Sequence, residues 1–417
     1  MQIKSRRSPH TRQSRFKGPK KPEPYKIMHG RENPFPAAWL WLVDQTIPEL
    51  VKDRYSPRES WKNKPFTQED AHFFFKGIEE LSERFTEERS RGVLNYFLHP
   101  KYRSAYLLYF LPLQAAKFLT LFDQNKGAME AAVDHGLKQG VLRIGDLGAG
   151  PGTATLAALL WFLNWADKNK TDLPKIEILW LDTNTTVMDD GRVLVEKLAD
   201  GFPRLRGKVR LKTVDAPWWE VGRYTENQPF SLLILGHVLN EASGPMSSNS
   251  DEGRHEKWIK LWSTLVDLSA GGGMMIVEPA SRRTAQNLSQ IRDQLFADTL
   301  INNEEVRLWG PCLHAGLCPL SGGRDWCHFS FPTQIPGRWF REFSKGLGSE
   351  RLWLKLSYLW IASAEYPSTV SDPRARRVIS DPMGEDRSTL LLCEPEEAIH
   401  HKINPRAKIF RGDLIKI

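Results

Sequence analysis

The chain has 417 residues, 41% of them hydrophobic, and 15 Trp, which is enough for two domains or one elaborated domain with a substantial core. No run of about 18 apolar residues occurs, so no membrane span is predicted, and four cysteines are too few for a disulfide scaffold. The net charge of +8 is concentrated in residues 1–26, which hold nine basic residues against Glu23 alone.

Residues 1–26 are predicted to be a basic disordered arm. Such an arm on an otherwise neutral body suits a phosphate-rich partner such as RNA, and the alternatives are a solvated tail or a targeting peptide. No apolar segment follows the arm, which argues against a secretory signal, and the Lys- and Pro-rich run at 17–24 makes a poor amphipathic helix. We therefore expect a bacterial cytoplasmic protein, with the mitochondrial matrix as the alternative.

Residues 27–135 are predicted to form a helical N-terminal region that covers a central sheet. Apolar residues recur at helical spacing between Glu69 and Gly92, and aromatic stripes follow from Tyr96 to Pro112. Stripes of this kind are usually core rather than binding sites.

The segment Val141–Thr153 begins a predicted core, residues 136–300, in which strands and helices alternate. A short apolar strand ends in Asp146, glycines follow at 148, 150 and 152, and a helix begins at Thr153. This order brings backbone N–H groups and a helix N-terminus against a ligand. The dinucleotide fingerprint needs its third glycine one position later, and the Gly-Lys-Ser/Thr of a P-loop is absent. The pattern resembles the first motif of class I S-adenosylmethionine (SAM) methyltransferases, in which the acidic residue helps to hold the charged end of SAM. The alternative is a glycine turn that binds nothing.

Later strands also end in acidic residues, at Asp182, Asp215 and Glu278. Because the carboxyl ends of parallel strands meet at one edge of a sheet, Asp182 is placed to accept hydrogen bonds from a ribose diol. A helix cap is its alternative role. Asp215 lies where an adenine contact would be expected.

The fourth predicted strand, residues 230–237, is almost wholly apolar, as a buried parallel strand should be. It runs into the segment where methyltransferases place the residues that face the methyl acceptor. The catalytic candidates are His237 as a base, with Asn240 or Glu241 as polar contacts, and an ordinary capped strand end is an equal alternative. Neither an Asn-Pro-Pro-Tyr motif nor a cysteine nucleophile occurs in this segment.

Residues 301–417 are predicted to contain a metal-cluster loop and C-terminal strands. Three cysteines, Cys312, Cys318 and Cys327, lie in a loop rich in Gly and Pro, and Cys393 follows a short apolar strand. Zinc ribbons usually carry paired Cys-x-x-Cys knuckles, whereas wide irregular spacing suits an iron–sulfur cluster with four thiolates. His314 and His328 are the flanking candidates if the metal is zinc. Buried reduced cysteines, or Cys312 as the nucleophile of a cytosine-5 methyltransferase, are the other interpretations.

Seven stretches together resemble one family, the methyltransferase-like family of the mitochondrial small ribosomal subunit, which has bacterial members. The likeness runs from about Tyr96 to the C-terminus and is most specific near the cysteines. The stretches are Asp146–Gly152, Leu239–Glu241, Val277–Pro279, Pro311–His314, Cys318–Leu320, Asp325–Ser330 and Ser357–Leu359.

This resemblance implies a class I SAM-dependent methyltransferase fold: a Rossmann-like, doubly wound α/β sheet with a helical N-terminal region and a cysteine-ligated cluster region. It implies a 4Fe-4S cluster on the four cysteines and association with the small ribosomal subunit and its rRNA, for which the basic arm and the basic C-terminus, residues 400–417, are the expected contacts. Two functions are therefore expected: an rRNA methyltransferase, or an assembly factor that uses SAM and the cluster structurally.

Overall fold

The structure, a computed structural model, describes residues 26–27, 34–87, 96–225, 228–239, 251–296, 306–332, 334–348, 353–363, 373–395, 397–404 and 406–417. The predicted basic arm lies outside these residues except for Lys26.

Helices occupy the described part of the N-terminal region. Two of the junctions between them, Leu42–Thr46 and Tyr106–Phe110, are single π-helical stretches inside longer helices. The helices are α1 (Ala38–Trp41), α2 (Ile47–Tyr55), α3 (Gln68–Glu87), α4 (Pro100–Ala105), α5 (Leu111–Gln124) and α6 (Lys126–Gln139).

The helical stretch Pro100–Gln124 is long and apolar enough to cross a membrane by length and composition, although Lys101, Arg103 and Lys117 interrupt its apolar residues. In the structure 83% of its most apolar window is buried inside the protein, and α5 packs against the first helix of the α/β core. A buried core helix meets the same length and composition test.

The predicted doubly wound α/β sheet is confirmed, and it is mixed rather than wholly parallel. Its strand order is β4-β3-β2-β5-β6-β9-β7, with β8 paired to β9. The first five of these strands run parallel, and β9 runs antiparallel between β6 and β7. The strands are β2 (Val141–Leu147), β3 (Lys175–Asp182), β4 (Val209–Asp215), β5 (Leu232–Gly236), β6 (Gly273–Pro279), β7 (Val306–Gly310), β8 (Phe329–Pro332) and β9 (Trp353–Ser363).

Two apolar layers enclose this sheet. One core joins the N-terminal helices to the face covered by α7, and the other packs α9 and α10 on the opposite face. The strand order reverses at β2, which has β3 on one side and β5 on the other, and ligands of open α/β sheets bind at such a switch point. The helices of the α/β part are α7 (Thr153–Asn169), α8 (Thr185–Gly201), α9 (Asp251–Ser269), α10 (Arg282–Phe296) and α11 (Arg338–Gly346).

A second, antiparallel sheet has the order β1-β13-β10-β11-β12 and its own small apolar core. The predicted boundary at residue 300 does not divide these two sheets, because β7, β8 and β9 all belong to the central sheet. The cysteine loop leaves the central sheet after β7 and returns to it at β8. The strands of the second sheet are β1 (Lys26–Ile27), β10 (Ala375–Val378), β11 (Thr389–Cys393), β12 (Ala398–Lys402) and β13 (Leu414–Lys416).

Candidate functional site

The glycine turn lies between β2 and α7, at the switch point of the sheet. Gly148, Gly150 and Gly152 have φ values of +71°, +52° and +69°. These values are in the left-handed region, where a residue with a Cβ is strained. The alternation of glycines therefore follows from the backbone of the turn.

The three glycines differ in what surrounds them. A Cβ at Gly148 would lie 2.1 Å from Val238 Cγ1, and a Cβ at Gly152 would lie 2.0 Å from the ring of Trp180. At Gly150 no atom lies within 4 Å of that position. The outer glycines make room for the protein itself, and the middle glycine faces open space where a ligand can approach the backbone.

Asp146 is buried and its carboxylate is used inside the protein. Its Oδ2 accepts hydrogen bonds from the backbone N–H and the hydroxyl of Thr155, at 3.1 and 2.7 Å. Trp180 Nε1 donates to the same hydroxyl at 2.8 Å. Burial raises the pKa of Asp146 to about 7, against the lowering effect of these bonds. Asp146 thus holds the first turn of α7, and its predicted contact with SAM stays a prediction.

The raised pKa of Asp146 predicts a pH-dependent stability. Because the pKa is higher in the folded protein than in the unfolded chain, the folded state holds an extra proton between about pH 4 and 7 and loses stability as the pH rises through that range. Asp146→Asn keeps an acceptor for Thr155 but cannot ionise. From pH 4 to 8 we expect the variant to gain a few kcal/mol relative to the wild type.

Urea unfolding at a series of pH values measures this difference. The control is Asp215→Asn, since Asp215 is exposed. Parallel pH profiles for Asp146→Asn and the wild type would contradict the prediction.

Asp182 and Asp215 are register partners at the carboxyl ends of β3 and β4. Asp182 Oδ2 accepts from the backbone N–H of Gly150 at 2.8 Å, and Oδ1 accepts from that of Asn184 at 2.8 Å. The cap of α8 is Asn184, whose side chain accepts from the N–H of Val187 at 3.1 Å. Burial raises the pKa of Asp182, and the charge of Asp215 adds to the effect. The carboxylate of Asp182 therefore lies at the glycine turn, beside Gly150.

The segment after β5 lies against the glycine turn, since Val238 is the residue that a Cβ at Gly148 would meet. His237 has a left-handed backbone, with φ at 63°, and its N–H donates to the carbonyl of Val277 at 2.7 Å. Its Nε2 lies 3.1 Å from Gln114 Oε1 of α5. Of the predicted acceptor residues, Asn240 and Glu241 lie outside the described residues. Gln114 carried no signal in the sequence, because 123 residues separate it from His237.

Glu278 is the next-to-last residue of β6 and is fully buried. Its Oε1 accepts from the backbone N–H of Leu239 at 3.0 Å. The carboxylate therefore supports the segment that carries His237, and the predicted row of strand-end acids splits into two pairs. Asp146 and Glu278 are inside the protein, and Asp182 and Asp215 lie nearer the surface of the sheet edge.

The cysteines of the loop converge on one pocket. Cys312, Cys318 and Cys327 line a cavity of about 310 Å³, part of it open to solvent, together with Arg292, Ser357 and Tyr358. Burial raises the pKa of the Cys327 thiol, and repulsion by the other three cysteines, Cys393 included, adds to the effect. The four cysteines of the sequence thus lie within electrostatic range of one another, although Cys393 is far from the loop in sequence.

Two histidines flank the cysteines. His314 Nε2 lies 3.3 Å from the sulfur of Cys393. His328 follows Cys327, and burial lowers its pKa to about 4, with the positive charge of Arg411 adding to the shift. His314 is therefore in direct contact with a thiol, whereas Nδ1 of His328 lies at hydrogen-bond distance from the carbonyl of Trp326 and from Arg411.

Three arginines hold the backbone beside the cysteines. Arg377 donates to the carbonyl of Pro311 at 3.0 Å, Arg411 to that of Trp326 at 3.2 Å and Arg292 to that of His314 at 2.6 Å. The first two carbonyls immediately precede Cys312 and Cys327. Arg292 and Arg377 are buried. Sequence reasoning did not identify these arginines, because only the fold brings them to the thiols.

The arginines also fit the chemistry of the pocket. Thiolates are the form of cysteine that binds metal, and buried negative charge requires nearby positive charge. Among the described residues no three His, Cys, Asp or Glu side chains surround one point as a single metal ion needs. The pocket therefore offers cysteine thiols with cationic neighbours, which is the donor chemistry that iron–sulfur clusters use.

A family model described as mitochondrial small ribosomal subunit Rsm22 matches residues 142–416, about two thirds of the chain. The match includes the glycine turn, the acceptor segment and all four cysteines. The N-terminal helices and the basic arm lie before it. No curated protein matches the sequence.

Solved structures of methyltransferases match parts of this chain at low similarity. A SAM-dependent methyltransferase of Agrobacterium tumefaciens is 9% identical with a TM-score of 0.31, over 57% of this chain and 60% of that one. A precorrin-6y C5,15-methyltransferase of Geobacter metallireducens is 12% identical with a TM-score of 0.27, over 56% and 86%. A loganic acid methyltransferase is 10% identical with a TM-score of 0.27, over 58% and 96%. At this level of similarity, the fold assignment depends on the strand order described above.

Proposed function

Since the chain belongs to the mitochondrial small ribosomal subunit Rsm22 family, we propose that it is a SAM-binding methyltransferase-like protein of the small ribosomal subunit that acts on rRNA. The observation that carries the proposal is the glycine turn. Its middle residue, Gly150, faces open space at the switch point of the sheet, with the carboxylate of Asp182 beside it.

In the proposed SAM site, Gly148, Gly150 and Gly152 supply a backbone surface for the methionine part of the ligand. Asp182 accepts hydrogen bonds from the ribose hydroxyls in place of the Gly150 N–H, and Asp215 lies beside it toward the adenine. Asp146 acts from behind the turn through α7.

Bound SAM supplies an electrophilic methyl group on a sulfonium. In the proposed reaction a lone pair or π pair of an rRNA base forms a bond to that methyl carbon while the carbon–sulfur bond breaks, leaving a neutral thioether. The chain holds the two reactants in line, which provides most of the rate. His237, held by Gln114, is the candidate that takes the proton released by the base, directly or through water.

We also propose that Cys312, Cys318, Cys327 and Cys393 hold a 4Fe-4S cluster, with zinc as the alternative. The buried arginines beside the thiols support a metal–thiolate group, because such a group brings negative charge into the pocket. The wide, irregular spacing of the cysteines favours the cluster. Such a cluster supplies a covalent cross-link between the loop and β11, and a site for one-electron chemistry. The arginines balance its negative charge.

We propose that the basic arm and the exposed basic residues of the C-terminus contact rRNA. The family is named for the mitochondrial small ribosomal subunit, which favours the mitochondrial matrix over the bacterial cytoplasm expected from the weak presequence. A phosphate-binding arm suits either compartment, because its contacts depend on charge rather than sequence.

A second function, an assembly factor without methyl transfer, is favoured by the segment after β5. Its described residues, His237–Leu239, contain neither an acceptor motif nor a nucleophile. In this function SAM and the cluster stabilise the fold that binds the small subunit.

Methyl transfer to isolated small subunits separates the two functions. Purified protein is incubated with small subunits and SAM labelled in its methyl group, beside Gly150→Ala, whose added Cβ enters the proposed ligand space. We expect label in rRNA with the wild type and none with the variant. SAM binding by the wild type without any transfer would contradict the methyltransferase function and favour the assembly-factor function.

A further inference from the structure

The carboxyl end of β6 lies between the two proposed sites. On the SAM side, Glu278 accepts from the N–H of Leu239 at 3.0 Å, and the carbonyl of Val277 accepts from the N–H of His237 at 2.7 Å. Both bonds hold the segment that packs on Gly148. The position of β6 therefore sets the wall of the proposed SAM pocket opposite β2.

On the other side, the cysteine loop is bonded to the residues that follow β6. Trp326 Nε1 donates to the carbonyl of Ala280 at 2.9 Å. At the start of α10, Gln286 and Arg282 donate to the carbonyl of Gly323 at 2.7 and 3.1 Å. Trp326 is the residue before Cys327, so a ligand on that cysteine fixes the donor to Ala280.

A second connection runs through β9. Ser357 is the register partner of Glu278, and its hydroxyl donates to the carbonyl of Cys327 at 2.8 Å. Glu278 and the backbone of Cys327 are thus linked across one pair of neighbouring strands, β6 and β9. Two independent hydrogen bonds, from Trp326 and to Cys327, link the cysteine pocket to the same end of β6.

Residues 311–328 contain no helix or strand, so their position depends on such bonds and on whatever binds the thiols. A metal group bound to Cys312, Cys318, Cys327 and Cys393 holds this loop in one conformation. SAM binding at the neighbouring site then no longer has to order the loop, which removes part of the free-energy cost of that binding. Coupling of this kind is reciprocal.

We propose that Trp326 and Ser357 are positioning residues that couple the cysteine pocket to the SAM pocket, so that SAM binds more tightly when the four cysteines hold their metal group. This inference rests on the proposed function for SAM binding. It adds a regulatory relation between the two sites. The expected ratio of affinities is about tenfold, within the usual range of coupling between sites.

The test compares SAM affinity in two states of the full-length protein. The loaded state is prepared anaerobically with ferrous iron and sulfide, and the metal-free state with a chelator. Calorimetric titration with SAM should give a dissociation constant about tenfold lower in the loaded state. Trp326→Phe keeps an aromatic ring and removes the N–H donor. We expect its ratio of SAM dissociation constants, metal-free to loaded, to fall toward one while its iron content is unchanged. Trp353→Phe makes the same change at an exposed position of β9 and should keep the full ratio.

A reverse measurement uses the loaded protein alone, in case the metal-free protein does not remain folded. Saturating SAM should slow the removal of iron by a chelator in the wild type and in Trp353→Phe, and not in Trp326→Phe. Equal SAM affinity in both states together with equal iron loss overturns the coupling while leaving the proposed function intact. An unchanged ratio in Trp326→Phe overturns the role of Trp326 in it. The absence of SAM binding in the loaded protein overturns both.

Discussion

Gly152→Ala should abolish SAM binding and destabilise the protein by about 2 to 5 kcal/mol. Overpacking costs about 1–3 kcal/mol, and a left-handed alanine adds about 1–2 kcal/mol. The new Cβ would lie 2.0 Å from the ring of Trp180. That ring cannot retreat, because it is fully buried and its N–H is bound to Thr155.

Two other glycines separate the clash from the strain and from the ligand. Gly140→Ala, at the end of α6, has φ at +72° and no atom within 4 Å, so it should cost about 1–2 kcal/mol and leave SAM binding intact. Gly150→Ala should cost a similar amount and lose SAM binding. Urea unfolding and calorimetric titration with SAM measure both quantities. Equal destabilisation of Gly152→Ala and Gly140→Ala would show that Trp180 is not the obstacle.

Cys327→Ser should remove the metal group, because Cys327 interacts electrostatically with all three other cysteines. If the group is a 4Fe-4S cluster, we expect iron to fall from about four atoms per chain toward none, with loss of the visible absorption. Thermal stability should fall as well, since ligand binding contributes to folding wherever the site is formed only in the folded state.

His328→Asn is the matched control, one residue away. The low pKa of His328 keeps it neutral near pH 7, so the substitution changes no charge there. Iron content in His328→Asn should equal that of the wild type. A colourless wild-type protein that contains zinc, and loses it in His328→Asn or His314→Asn, would overturn the cluster and establish a mixed Cys/His zinc site.

Local patterns in the sequence predicted the parts of the fold that depend on neighbours along the chain. Four of the five parallel strands appear as largely apolar runs because both of their faces are covered, whereas the edge strand β4 alternates apolar and polar residues and has no buried residue. The glycine turn was recognisable because positive φ values at three alternate positions favour glycine. Their spacing after Asp146 needed no knowledge of the partner residues, Val238 and Trp180.

The roles of the acidic residues were less accessible. Asp146, Asp182 and Glu278 all follow apolar strands, and their sequence contexts look alike. Burial and nearby donors distinguish them. Thr155 donates a hydrogen bond to the carboxylate of Asp146, Leu239 donates to that of Glu278, and Gly150 donates to that of Asp182. Each of these partners is at least nine residues away in sequence, so no local pattern encodes the choice.

By itself, then, the sequence determined the alternation of strands and helices and the glycine turn, because backbone sterics and residue chemistry are local. Only the tertiary structure decided that β9 enters between β6 and β7, that Gln114 reaches His237, and that Arg292, Arg377 and Arg411 surround the thiols. These contacts join segments far apart in the chain. They form because burying apolar faces on both sides of one sheet fixes where each segment must lie.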